Sequence, residues 1–81
     1  QIKNASLIRG IVRITNYSEN RVEIETENNG EGFLVLSDSF YPTWKAEIDG
    51  VNTKIYKTNY AFRGIFVPNG NHKVVFYNTL F

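Results

Sequence analysis

At 81 residues the chain has room for one small domain, and its 42% hydrophobic and 15% aromatic content excludes an intrinsically disordered segment. The absence of cysteine excludes a disulfide framework, a thiolate zinc site and a thiol nucleophile. The formal net charge of +1 divides into −2 over residues 1–41 and +3 over residues 42–81, without the concentrated basic face that nucleic-acid binding usually requires.

The residues left least patterned are the first nine, which read as a short edge strand through Leu7 and Ile8 or as a frayed lead-in. With no methionine and a start at Gln1, the chain is expected to be a processed product or a piece of a longer protein. No apolar run approaches the ~18 residues needed to span a bilayer, and the N-terminus lacks the basic-then-apolar form of a signal peptide.

No extended window keeps the i, i+3, i+4 apolar spacing of a helix; what recurs is period-two alternation bounded by turn residues. Residues 10–17 form the first clear strand, with Val12 and Ile14 on one face and Ile11, Arg13 and Thr15 on the other. Residues 21–27 follow a Ser18-Glu19-Asn20 turn. There Val22, Ile24 and Thr26 alternate with Arg21, Glu23, Glu25 and Glu27, the acidic set reading as a wet face rather than a metal site. Asn28-Asn29-Gly30 supplies turn chemistry tolerant of positive φ. The apolar run at residues 32–37 suits a central strand buried on both faces.

Residues 38–43 form a loop containing Tyr41-Pro42, and residues 44–48 form a strand ended by the hairpin signal Asp49-Gly50. A return strand spans residues 53–57, with Ile55 on the buried side. Another covers residues 60–67, followed by the turn Pro68-Asn69-Gly70-Asn71. The last, residues 72–77, sets Val74 and Phe76 against Lys73, Val75 and Tyr77. About seven strands with closely spaced turns indicate an all-β fold, an antiparallel β-sandwich of immunoglobulin-like or jelly-roll-like type occupying residues 1–81. A small five-stranded barrel of the oligonucleotide-binding type is the second reading.

Few residues point to chemistry. The sequence holds one histidine, His72, which follows a tight turn and reads as an exposed strand start. Glu47 and Asp49 share a strand face, but the following Gly50 makes Asp49 a turn residue bonding its own backbone. No nucleophile elbow, P-loop or dinucleotide fingerprint is present, and no metal or cofactor is expected. The dense segment carries Phe40, Tyr41 and Trp44 around Pro42. Tyr41 and Trp44 could stack against a sugar ring, with Lys45, Asp38 or Arg63 bonding hydroxyls; alternatively Trp44 plugs the core. Tyr60 and Arg63 form a second candidate pair. Arg63 lies in an apolar stretch and either pairs with Asp38 or Asp49 as an anchor or meets a ligand. The candidate binding residues are therefore Tyr41, Trp44, Lys45, Tyr60 and Arg63.

The run Leu-Val-Leu-Ser-Asp-Ser-Phe-Tyr-Pro-Thr-Trp-Lys-Ala-Glu-Ile-Asp-Gly at residues 34–50 resembles the C-terminal extracytoplasmic segment of the YfhO-like bacterial membrane proteins. Ile55 with Asn59-Tyr60-Ala61-Phe62-Arg63-Gly64 is similar to the next block of that family. The stretch at residues 67–76, from Val67-Pro68-Asn69-Gly70-Asn71-His72 into Lys73-Val74-Val75-Phe76, is similar to its last. Thr43 departs from the family, which often has glycine there. The resemblance implies a domain excised from a polytopic membrane protein similar to lipid-linked-sugar glycosyltransferases, whose catalytic acids lie in loops outside this chain. It further implies an accessory, non-catalytic role on the extracytoplasmic face of the bacterial membrane. The membrane part of the parent chain and cell-surface glycan would be the partners, with no nucleic acid. Residues 76–81 would then form a strand running toward the membrane surface. A free-standing carbohydrate-binding module is the alternative, and it requires Tyr41 and Trp44 exposed and coplanar.

Overall fold

The computed structural model describes residues 4–80, and every regular element in it is a strand. In chain order these are β1 (Ala5–Leu7), β2 (Gly10–Tyr17), β3 (Arg21–Asn28), β4 (Gly32–Ser39), β5 (Trp44–Ile48), β6 (Val51–Thr53), β7 (Tyr56–Lys57), β8 (Phe62–Val67) and β9 (Gly70–Asn78). They form two sheets, β1-β4-β8-β7 and β2-β3-β9-β5-β6, with antiparallel pairing throughout. The two sheets enclose one core, which is a sandwich and not a closed barrel.

Alternation sets which side chains enter that core. Across the larger sheet Val22 pairs with Phe76 and Ile24 with Val74, so all four point inward. Leu34 and Leu36 of β4 and Ile65 and Val67 of β8 meet them from the smaller sheet, all with no solvent exposure. Each such aliphatic side chain stabilises the fold by roughly 1.5–3 kcal/mol on burial, so this layer carries most of the driving force. Val12 and Ile14 pack partly buried against the same cluster, on the face their alternation indicates.

Four differences from the sequence reading have physical causes. The run at residues 32–37 is buried on one face only: Leu34 and Leu36 are enclosed, whereas Phe33 and Val35 point outward and are half-buried. Their apolarity is explained by a ring cluster on the outer surface. The expected strand at residues 53–57 is two strands in different sheets, because β6 pairs with β5 and β7 pairs with β8. Lys54 and Ile55 make the crossover between layers, and Ile55 still packs on the core. β1 lies at residues 5–7, paired with β4, while Ile8 is exposed in the following turn. Finally, β8 begins at Phe62, leaving Tyr60 outside the strand; Ala61 has a φ of 61°, which breaks the extended backbone there. The chain end read as a strand toward a membrane leaves regular structure after Asn78, and Phe81 lies outside the described residues.

An Arg63–Trp44 stack and an open tyrosine end

The five residues singled out by sequence divide into interior and exposed groups. Trp44 opens β5 pointing inward and is 7% exposed. Arg63 lies on the inward face of β8, is 2% exposed, and holds its guanidinium carbon 3.6 Å from the centroid of the Trp44 ring. Its Nε donates to the carbonyl of Ser39 at 2.9 Å, and its Nη2 lies 3.3 Å from Asp38 Oδ2. Tyr17 donates its hydroxyl to that same carboxylate oxygen at 3.0 Å. Arg63 thus pairs with Asp38, one of the two carboxylates expected, and not with Asp49. The register shift in β4 between Leu36 and Ser39 turns the Ser39 carbonyl and Asp38 toward the guanidinium. Burial pushes the Arg63 pKa down, and the Asp38 carboxylate opposes it. The intrinsic basicity of the guanidinium keeps it cationic, and its flat fork fits a ring face, a carbonyl and a carboxylate at once.

This arrangement leaves Trp44 with no open ring face. The coplanar Tyr41–Trp44 platform required of a free-standing carbohydrate-binding module is therefore not formed. Lys45, next in the strand, points the other way and is exposed; it faces Tyr77 across the outer side of the larger sheet. Trp44 borders an open depression of about 280 Å³, shared with Phe40, Pro42, Lys45, Thr53, Lys54 and Ile55.

Tyr41 and Tyr60 are the exposed members, at 59% and 81%. They sit on two loops that the backbone ties together, since Phe40 N–H donates to the Ala61 carbonyl at 2.7 Å. Trp44 N–H in turn donates to the Tyr41 carbonyl at 3.0 Å, so the Tyr41 loop is anchored on the buried stack. Tyr60 rests against Phe62 with ring centroids 6.0 Å apart.

Two groupings escaped the sequence. At the opposite end of the sandwich His72 Nδ1 lies 2.5 Å from Asp49 Oδ2, and Nε2 lies 2.8 Å from the Asn69 carbonyl. Asp49 also accepts the Lys73 N–H at 2.9 Å through Oδ1. So Asp49 serves β9 rather than its own turn, and His72 is held rather than free. Asn69 Oδ1 accepts the Gly30 N–H at 2.7 Å, which joins a third turn to the cluster. The Asp49 carboxylate, followed by the Asn69 carbonyl, raises the His72 pKa above its ordinary value. The Lys73 N–H and then His72 hold Asp49 below its own. The second grouping is a set of rings, Phe33, Tyr56 and Phe66, on the outer face of the smaller sheet. The uninterrupted apolar run Phe33-Leu34-Val35-Leu36 carries no signal that separates an outer ring cluster from a second buried layer.

Among the described residues no group of three or more His, Asp or Glu side chains comes together as a metal site, and no helix is long and apolar enough to cross a membrane. No curated protein and no solved structure matches the chain. A protein family does: the one described as bacterial membrane protein YfhO matches residues 3–79, nearly the whole length. That span includes both the Arg63–Trp44 stack and the tyrosine loops, and the chain belongs to this family of bacterial membrane proteins.

Proposed function

We propose that the chain is a non-catalytic accessory domain on the extracytoplasmic face of a bacterial membrane protein, one similar to lipid-linked-sugar glycosyltransferases. Its role is to orient the membrane part of the same parent chain and to contact cell-surface glycan through Tyr41 and Tyr60. The observation that carries this reading is the family match over residues 3–79. The disposition of side chains supports it. Arg63 and Trp44, the residues best suited to ligand chemistry, are engaged by each other, by Asp38 and by the Ser39 carbonyl. What remains open to a ligand at that end is a pair of tyrosines on joined loops, suited to stacking and hydroxyl bonding rather than to bond cleavage.

Titration of the chain with cell-wall oligosaccharides, followed by amide chemical shifts, tests the glycan contact. Shifts concentrated at residues 40–43 and 58–61 are expected. No shift at millimolar oligosaccharide removes the glycan contact and leaves a purely structural role.

A further inference from the structure

The two sheets present unlike outer faces. On the larger sheet the outward positions carry Arg13, Glu23, Glu25, Glu27 and Lys73, cross-linked by ion pairs from Arg13 to Glu25 and from Lys73 and Arg21 to Glu23. On the smaller sheet the register brings Phe33 opposite Phe66, and Val35 and Tyr56 to either side of Gly64. Phe33 and Phe66 have centroids 4.9 Å apart, and Tyr56 meets Phe66 edge-on at 5.3 Å. The close approach requires Gly64: a Cβ there would come within 2.3 Å of Phe33 Cζ. Yet the cluster is not sealed, since Phe66 remains 50% exposed and Tyr56 and Ile8 are exposed as well. The outward strand positions of this sheet hold no carboxylate among the described residues; Glu31 only precedes β4. Lys54, two residues before Tyr56, lies 4.8 Å from the Tyr56 ring centroid.

We infer that this outer face seats on the headgroup region of an anionic lipid bilayer, with Phe33, Tyr56 and Phe66 as the apolar contact and Lys54 as the cation beside them. The ring geometry distinguishes lipid from sugar. Interplanar angles of 57–80° present edges and corners, not the flat platform on which a pyranose stacks. Phenyl rings beside a tyrosine hydroxyl and a lysine ammonium match the apolar-to-polar gradient of a bilayer interface. The Lys54 ammonium and the lack of outward carboxylates among the described residues of this sheet complement anionic headgroups. The inference rests on the proposed placement beside a membrane and adds which face meets it.

Co-sedimentation of the full chain with phosphatidylglycerol–phosphatidylcholine vesicles and with phosphatidylcholine vesicles, at low and high salt, tests it. Binding is expected to the anionic vesicles, weakened by salt and by removal of phosphatidylglycerol. The pair Tyr56→Ser and Phe66→Ser is expected to lower partitioning roughly tenfold, because both rings are outside the core. Ile11→Ser, on the other sheet, is expected to leave it unchanged; circular dichroism of each variant verifies the fold. Absent binding to anionic vesicles, or equal partitioning of the folded double variant, overturns the inference. So does a concentration-dependent dimer that Phe66→Ser dissolves without any vesicle binding, which gives the face to a second copy. Vesicle binding without oligosaccharide shifts defeats the glycan contact alone, and oligosaccharide shifts without vesicle binding defeat this inference alone.

Discussion

Arg63 lies over the Trp44 indole, 3.6 Å from ring centroid to guanidinium carbon, and both are buried in the sandwich. The charge is costly to bury, so the arrangement holds only because several partners act together. A desolvated cation–π contact contributes about 2 kcal/mol, and a charge-assisted hydrogen bond adds about 1.5–3 kcal/mol. Arg63→Ala removes all of these, including the contact to the Asp38 carboxylate. We expect a loss of about 3 kcal/mol in urea unfolding followed by Trp44 fluorescence. Arg63→Met with Asp38→Asn is expected to recover a large part of that loss, because the carboxylate that faced the guanidinium is neutralised with it. Equal stability of Arg63→Ala and the native chain contradicts the assignment.

The smaller sheet depends on Gly64 for a different reason. Its missing Cβ makes room for the Phe33 ring, whose Cζ and Cε2 would otherwise be 2.3 and 2.6 Å away. The clashing atoms are the far end of a side chain that is only half-buried, so the ring can tilt. Gly64→Ala is therefore expected to cost about 1 kcal/mol, at the low end for overpacking, and Gly64→Val more. Adding Phe33→Leu to Gly64→Ala should restore most of the lost stability, measured by chemical denaturation.

His72 offers a pH-dependent contact at the other end. Its two ring nitrogens face a carboxylate and a carbonyl, both acceptors, so only the imidazolium donates to both. The raised His72 pKa means that its contribution is fully present below the ordinary value of about 6.5 and disappears as pH rises through the folded value. The depressed Asp49 pKa acts in the opposite sense, its contribution being lost as pH falls through that lowered value. Glu25, Glu27, Arg13 and Lys73 line a surface depression together with His72 and Asp49. As His72 is the one histidine of the sequence, its ring signals in a proton NMR titration report the pKa without overlap. Asp49→Asn is expected to return that pKa toward its ordinary value. An unchanged midpoint in this variant contradicts the contact.

The alternation of β3 was legible because Val22, Ile24 and Thr26 oppose charged neighbours without interruption. Arg63 was legible as an anchor because a lone cation in an apolar stretch needs a counter-ion, and Asp38 was one of two choices. The same logic failed at residues 32–37. An apolar side chain facing outward looks identical in sequence to one facing a second buried layer, and Phe33 lies on the outer surface. The break between β6 and β7 was hidden because Lys54 and Ile55 continue the alternation while the backbone changes sheets. The His72–Asp49 contact spans 23 positions, and only the pairing of β5 with β9 brings it about. Turn chemistry at Asp49-Gly50 gave no sign of it.

The role assigned to the tyrosine loops depends on Trp44 and Arg63 being interior. Quenching of Trp44 fluorescence by iodide and acrylamide, with and without cell-wall oligosaccharide, addresses this most directly, since the sequence contains one tryptophan. A blue-shifted emission, shielded from iodide and unchanged by oligosaccharide, is predicted for a ring covered by Arg63. Emission as open to iodide as free indole, shifting when oligosaccharide is added, would contradict the account and return Trp44 to the ligand.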